Sequence, residues 1–353
     1  MIKNLRLVLL PFSMLYGLVI LIRNRLYDAG IFPSKAFDLP VICVGNLAVG
    51  GSGKTPVTEY LVGLLDGKRI AILSRGYGRK TRGFILADHK ASAATIGDEP
   101  MQYYRKFPNV TIAVCEDRIK GISELKDRHD LIILDDAFQH RAVRPGFSIL
   151  LFEYHKLLRP QFLMPAGNLR EYFSAYRRSD LILVTKAPDS ISEKQQQICR
   201  SHFPAKSSNE LCFSGLSYQQ LISLFDQQTM DLNELGTDTT LHLLTGIANP
   251  KPMQMMLKEK FKKVQHHEYP DHYDFNTKDI GKLVASYKKD PSERKLIITT
   301  EKDAQRLLDD ALKALLLDLP VYYLPIKIVL QGKDQHSFDS KILEYVSSTT
   351  RNR

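Results

Sequence analysis

A chain of 353 residues exceeds one ordinary hydrophobic core, so two domains are expected. An apolar content of 44% and a charged content of 25% exclude a disordered polymer, and the net charge of +10 favours an anionic partner. Cys43, Cys115, Cys199 and Cys212 are scattered and form no C-x-x-C pair, which excludes a disulfide framework or zinc site and fits a reducing cytoplasm. The basic residues form no long blocks with interleaved aromatics, and no nucleic-acid motif occurs. An acidic membrane surface or a phosphorylated substrate is therefore the expected anion, with no nucleic acid and no protein partner.

The first element is a nearly continuous apolar run from Leu7 to Ile22, bracketed by Lys3 and Arg6 before and by Arg23 and Arg25 after. The run falls short of the roughly 20 residues that span a bilayer, Pro11 interrupts it, and Arg-Asn-Arg stands where a signal peptide would need small residues. Two readings remain, a membrane-surface helix and a buried core helix. Basic flanks on an apolar helix favour the first, with the cations meeting anionic headgroups on the cytoplasmic side.

Residues 40–57, PVICVGNLAVGGSGKTPV, carry the strongest signal. β-formers Val41 to Val44 give way to a glycine-rich turn and then a helix, Glu59 to Leu65, the context of a phosphate-binding P-loop. Gly50, Gly51, Ser52 and Gly53 turn backbone N–H groups around an anion at the positive end of that helix. Lys54 is placed to reach the β- and γ-phosphates, and Thr55 to present its hydroxyl to Mg²⁺. Ala48 occupies the first glycine position of the usual spacing.

Arg69 to Ser74 reads as a second strand, running into Arg75-Gly-Tyr-Gly-Arg79-Lys80. Two arginines among glycines at a carboxyl strand end suit a phosphate clamp, and equally a solvated basic turn. Asp98, in Gly-Asp-Glu-Pro at a loop-to-helix junction, has helix N-capping as its commoner role. Val110 to Val114 is a further strand. Leu131-Ile-Ile-Leu134 then runs into Asp135-Asp136, the Walker B form that delivers a carboxylate to Mg²⁺. Gln139 and His140 follow at a position for site or helix-start residues. Phe147 to Phe152 and Leu181 to Thr185 are strands, and the loop between them holds one well-placed cation, Arg170.

Thr185-Lys186-Ala-Pro188-Asp189 approaches a guanine-recognition motif but has Thr for Asn and Pro for Asp, so ATP is the expected nucleotide. Residues 190–215 turn polar, as at the approach to a domain boundary. Strands at Leu241 to Leu244 and Leu296 to Thr300, with a helix from Met253 to Phe261, restart an αβ rhythm. His272 lies in a polar-aromatic loop, where a lone histidine is more often structural than catalytic.

The expected fold is α/β: a P-loop NTPase-type, mostly parallel sheet with helices on both faces, a smaller C-terminal α/β domain and an N-terminal membrane-associated helix. The boundaries are 1–25 for the helix, 26–205 for the P-loop core and 206–353 for the C-terminal substrate and closure domain.

Taken together, VGNLAVGGSGKTP, SRGYGRK, GDEP, ILDDAFQHR, PAGNLRE, TGIANP, YPDHYDF and TTEKD, in that order, resemble the tetraacyldisaccharide 4′-kinase family, the inner-membrane lipid A kinases of Gram-negative bacteria. The family also replaces the first Walker glycine. Asn168 and Tyr273 depart from it, standing where Pro and a second His are common. The resemblance implies transfer of the ATP γ-phosphoryl to the 4′-hydroxyl of a tetraacylated, 1-phosphorylated glucosamine disaccharide, at the cytoplasmic face of the inner membrane. It implies that Lys54 and Thr55 bind ATP and Mg²⁺ and that Asp135 and Asp136 serve the metal. It also implies that Asp98 accepts the sugar hydroxyl proton, oriented by His272. Arg75, Arg79, Gln139, His140 and Arg170 are candidates for substrate or phosphate contact. The alternative is a membrane-targeted P-loop NTPase switch. Such switches carry a signature lysine where this chain has Val49, and they need no acceptor-activating base.

Overall fold

The computed structural model describes residues 6–207 and 210–351; Lys3 of the N-terminal flank and Ser208 and Asn209 of the polar stretch lie outside these. Among the described residues fifteen strands form two sheets. Strands β1 (Val41–Asn46), β2 (Ile70–Ser74), β3 (Ile85–Leu86), β4 (Thr111–Val114), β5 (Leu131–Asp135), β6 (Phe147–Glu153), β7 (Leu181–Thr185), β8 (Leu211–Tyr218) and β15 (Ile326–Leu330) make the larger one. Its order is β15-β8-β7-β6-β1-β5-β2-β4-β3. Strands β8 through β4 in that order run parallel, and the two edges, β15 and β3, are antiparallel. Parallel strands are covered on both faces, which is why β1, β2, β5 and β7 are buried at every position and read as unbroken apolar runs.

Helix α1 (Leu10–Asp28) precedes the sheet, and α2 (Lys54–Leu64) follows β1 directly. Pro11 stands in the first turn of α1 rather than interrupting the apolar run. A first-turn N–H has no carbonyl to meet, so proline is tolerated there. With the 3₁₀ turn Arg6–Leu9 the element covers 23 residues, long and apolar enough to cross a membrane by length and composition, which corrects the shortfall expected from Leu7 to Ile22 alone. Helix α3 (Asp98–Lys106) and helix α4 (Arg118–Leu125) follow on the β2 side.

The smaller sheet contains β9 (Leu221–Ser223), β10 (Thr229–Met230), β11 (Thr240–Thr245), β12 (Lys263–Glu268), β13 (Lys295–Thr300) and β14 (Val321–Leu324), in the order β10-β9-β14-β13-β11-β12. Helix α5 (Glu301–Leu307) springs from the end of β13. The chain then returns to the larger sheet through β15 and α6 (Asp334–Arg351). Phe338, Ile342 and Val346 of α6 share one core with Val57 and Leu61 of α2. Tyr345 exchanges hydrogen bonds with the backbone of Val41. A cut at 205/206 therefore divides one sheet: β8, β15 and α6 lie beyond it in sequence but pack on the P-loop core. The reason is an antiparallel edge pairing between segments more than a hundred residues apart, which no local pattern announces.

Candidate active site

The carboxyl ends of β1, β5, β6 and β7 converge on the P-loop, as expected at the switch point of a parallel sheet. Gly50 and Gly53 adopt φ of 102° and 87°, and Gly53 caps α2 in the left-handed conformation, a geometry that L side chains rarely adopt. A Cβ on Gly51 would meet nothing within 4 Å, so the loop faces open space on that side. The loop is braced from behind. Asn46 Nδ2 donates to Ser52 Oγ at 2.7 Å, Thr185 Oγ1 donates to the Ser52 carbonyl at 2.8 Å, and Lys186 Nζ donates to the Gly51 carbonyl at 2.5 Å. Lys186 is itself held by Glu153 at 3.3 Å. A loop that turns its N–H groups inward must turn carbonyls outward, and Thr185 and Lys186 satisfy two of them. The failed guanine motif thus occupies the strand end beside the P-loop and supports it.

Asp135 ends β5 buried, and Asp136 follows with φ 49°. Burial pushes the Asp135 carboxyl up to about 7, against the opposing charge of Lys54. Its Oδ2 accepts from Tyr103 at 3.3 Å, whereas Oδ1 has no partner. The Tyr103 hydroxyl also neighbours Thr55 and Thr58. Asp136 is paired instead: Lys54 Nζ lies 3.6 Å from its Oδ2, and Arg170 Nη2 lies 2.9 Å from its Oδ1. Burial pushes the Asp136 carboxyl up, but Lys54 and Arg170 outweigh it and hold it below its ordinary value. An orphaned, buried carboxylate oxygen beside a threonine hydroxyl and a second carboxylate is a hard-oxygen donor set of the kind Mg²⁺ takes. Among the described residues no group of three or more His, Cys, Asp or Glu forms an all-protein cage.

Asp98 opens α3, and Gly97, not Asp98, is the N-cap. The aspartate side chain instead turns to the smaller sheet. His272 Nδ1 lies 3.0 Å from Asp98 Oδ2, Arg306 Nε donates to Asp98 Oδ1 at 3.1 Å, and Arg306 Nη2 donates to Oδ2. Lys302 Nζ lies 2.9 Å from His272 Nε2 and 2.8 Å from Glu99. An ammonium has no lone pair, so Nε2 accepts and the imidazole proton sits on Nδ1, donated to Asp98. Burial pushes Asp98 up, yet the bonds from His272 and Arg306 and the Arg306 and Lys302 charges hold it well below the usual carboxylate range.

Three segments assemble this cluster. The His272 N–H bonds the Gly246 carbonyl at 3.1 Å with φ 57° at His272, Asp303 accepts the Gly246 N–H at 2.9 Å, and Arg306 Nη1 reaches Asp303 at 3.0 Å. A Cβ on Gly246 would press on Asp303 and Phe275. Lower on α3, Lys106 bridges Glu59 of α2 at 2.7 Å and Glu301 of α5 at 2.8 Å. One helix thus carries Asp98 to His272 and Arg306, Tyr103 to Asp135, and Lys106 to the interface of the two sheets.

The remaining candidates divide. Arg170 is in the site. Gln139 Nε2 donates to the Asn46 carbonyl at 2.8 Å and so also borders it. His140 Nε2 is buried without a partner, near Arg118, Arg23 and Arg75, and burial and those cations push its pKa down. Arg75 is exposed at the carboxyl end of β2. The Arg79 side chain is buried and bonds Glu116 at 2.6 Å and the Gly83 carbonyl at 2.7 Å, so it braces its own loop. Lys302 and Arg306 were missed by sequence reasoning. Their signal was the i, i+4 spacing of two cations on the helix after a Thr-Thr strand end. Thr185 and Lys186 carry no local signal of their role, since which loop a strand end braces is set by the sheet order.

The profile of the family described as tetraacyldisaccharide-1-P 4′-kinase matches residues 5–347. The tetraacyldisaccharide 4′-kinase of Bacteroides thetaiotaomicron is 42% identical, covering 98% of this chain and 94% of its own. That of Flavobacterium johnsoniae is 43% identical, with 97% of each chain covered. A crystal structure of LpxK from Aquifex aeolicus in complex with ATP superposes with a TM-score of 0.74 at 31% identity, covering 97% of this chain and 99% of that one.

Proposed function

Because the chain belongs to the tetraacyldisaccharide-1-P 4′-kinase family and is a kinase of lipid A biosynthesis, we propose a division of labour among its residues. ATP binds with its phosphates in the cradle of Gly50 to Gly53 at the start of α2. Lys54 neutralises charge on the transferring γ-phosphoryl, with Asp136 and Arg170 fixing its position. Thr55, Asp135 and Asp136 would hold Mg²⁺, which would supply charge compensation for the transferring phosphoryl.

The acceptor is the 4′-hydroxyl of the acylated disaccharide 1-phosphate, which approaches Asp98 at the amino end of α3. A sugar hydroxyl is a weak nucleophile, and phosphoryl transfer gains mostly from positioning and charge compensation. The hydroxyl proton passes to the Asp98–His272 pair, with Asp98 as acceptor and the imidazole fixing the carboxylate. Arg306 and Lys302 hold both partners and make Asp98 a weak base, which suffices because in a loose transition state the proton moves late, as the phosphoryl transfers. Closure of the two sheets along α3 and α5 excludes water from the site. The observation that carries this reading is the 3.0 Å contact between Asp98, at the start of α3, and His272, in the loop after β12 of the smaller sheet.

A second assignment of the proton draws on the tautomer. With Nδ1–H on a carboxylate, the imidazole Nε2 has the geometry of a base oriented by an acid, and Lys302 would have to leave it first. The lipid face is α1: Phe12, Met14, Leu15, Leu18 and Val19 are exposed, with Arg6 and Arg25 at the two ends. This face supports association with the inner membrane, its basic flanks meeting anionic headgroups of the cytoplasmic leaflet.

The test is transfer from γ-labelled ATP to tetraacyldisaccharide 1-phosphate, with and without Mg²⁺. Label in the lipid at the 4′ position, lost when Asp135→Asn is used at low Mg²⁺, is the expected result. ATP hydrolysis without labelled lipid would favour the switch.

A further inference from the structure

The two edges of α1 have different environments. Along one edge lie the exposed apolar side chains. Along the other, at helical spacing, Ser13, Tyr16, Gly17, Arg23 and Asn24 meet the protein. Ser13 Oγ donates to the Leu163 carbonyl at 3.0 Å and accepts from the Ala166 N–H at 2.9 Å. Tyr16 donates to the Arg170 carbonyl at 2.8 Å, and Asn24 Nδ2 to Glu171 at 3.2 Å. A Cβ on Gly17 would stand 2.4 Å from the Tyr172 hydroxyl and 2.7 Å from Leu163. Arg23 reaches the Gln139 carbonyl at 2.9 Å.

The segment gripped in this way, residues 163–171, is held on its other side by the P-loop. The Arg170 N–H bonds the Leu47 carbonyl at 2.7 Å, and the Val49 N–H bonds the Asn168 carbonyl at 2.9 Å. Its Arg170 side chain pairs with Asp136 and with Asn46. The order in space is helix α1, segment 163–171, P-loop. A helix that served only to anchor the chain would need none of the polar contacts on its inner edge.

We infer that the inner edge of α1 is a positioning element for phosphoryl transfer. Tyr16 and Gly17 fix the backbone that aims Arg170 at Asp136, so the lipid-facing helix is also a wall of the kinase site. The consequence is that displacement of α1 changes turnover and not merely location. The inference rests on the assignment of Arg170 and Asp136 to the active site.

The experiment uses the full chain in detergent micelles, with γ-labelled ATP and the tetraacyldisaccharide lipid, so that membrane recruitment plays no part. The variants are Tyr16→Phe, Gly17→Val, Arg170→Ala, Tyr16→Phe with Arg170→Ala, and Leu18→Ser on the exposed edge. Loss of one backbone-holding hydrogen bond in Tyr16→Phe is expected to lower kcat about fivefold. Nucleotide-binding capacity and melting temperature should stay unchanged, which a general folding defect would not allow. Gly17→Val should lose more, and Leu18→Ser should partition less to membranes. In the Arg170→Ala background, Tyr16→Phe should add nothing. Full activity in Tyr16→Phe beside a crippled Arg170→Ala overturns the inference, as does an undiminished Tyr16 effect once Arg170 is gone. Full activity in Arg170→Ala instead removes the site assignment on which the inference rests.

Discussion

Replacing Asp98 tests the acceptor half of the site most directly. The carboxylate sits between a buried guanidinium, Arg306, and an imidazole, His272. Asp98→Ala removes the counter-ion of a cation that is only 7% exposed at its side chain. Uncompensated burial of such a charge costs about 3–5 kcal/mol. Arg306 keeps Asp303 at 3.0 Å and the Tyr273 carbonyl at 3.2 Å, so the loss falls at the lower end, about 3 kcal/mol, or several degrees in Tm. The kinetic loss is separate and larger. Removing a proton acceptor from the reacting hydroxyl costs roughly 10²–10⁴-fold in turnover. His272→Ala leaves the carboxylate and Arg306 in place and costs less. Because the two act on one proton, the double variant should be scarcely worse than Asp98→Ala. The assay is lipid phosphorylation in micelles at saturating ATP, with nucleotide binding measured in parallel to show an intact P-loop. Losses that simply multiply would refute the pairing as one catalytic unit, and unchanged turnover in Asp98→Ala would refute the acceptor assignment altogether.

Lys54→Ala should cut turnover by roughly a hundredfold or more, since it removes charge stabilisation from the transferring phosphoryl; near-normal kinetics would rule out that role. Lys186→Met should weaken nucleotide binding while leaving the lipid KM unchanged, because it frees the Gly51 carbonyl behind the phosphate cradle; equal effects on both substrates would point to general destabilisation. Deleting residues 1–25 should move protein from the membrane to the soluble fraction, as read by sedimentation with vesicles of anionic lipid. The depressed Asp98 carboxyl stabilises the fold above the ordinary carboxylate range, near pH 4, and that contribution is lost as pH falls further towards its folded pKa. Melting curves of the wild type and Asp98→Asn should therefore converge below about pH 4, and a constant gap down to pH 2 would contradict the shift.

The P-loop, the Walker B carboxylates and most strands of the larger sheet are legible in the chain because each is a local statement. Buried parallel strands read as apolar runs, and an anion cradle needs consecutive glycines before a helix. Val41 to Val44 and Leu131 to Leu134 report their own environment, whatever the rest of the molecule does. Pro11 opens the helix instead of breaking it, because the effect of a proline depends on where the helix starts. Tertiary structure alone decided the rest. It carried β8, β15 and α6 across the expected boundary, because edge pairing is set by contacts between distant segments. It turned Arg79 into a brace and Lys186 into a P-loop support, since the use of a long cation depends on which carboxylate or carbonyl the fold brings within reach. Nothing in the residues around Asp98 specifies His272, Lys302 and Arg306. Their resemblance to a family suggested the first pairing. The folded chain supplies the second and third, because α3 and α5 pack side by side across the two sheets, Asp98 and Glu99 against Arg306 and Lys302 and Lys106 against Glu301.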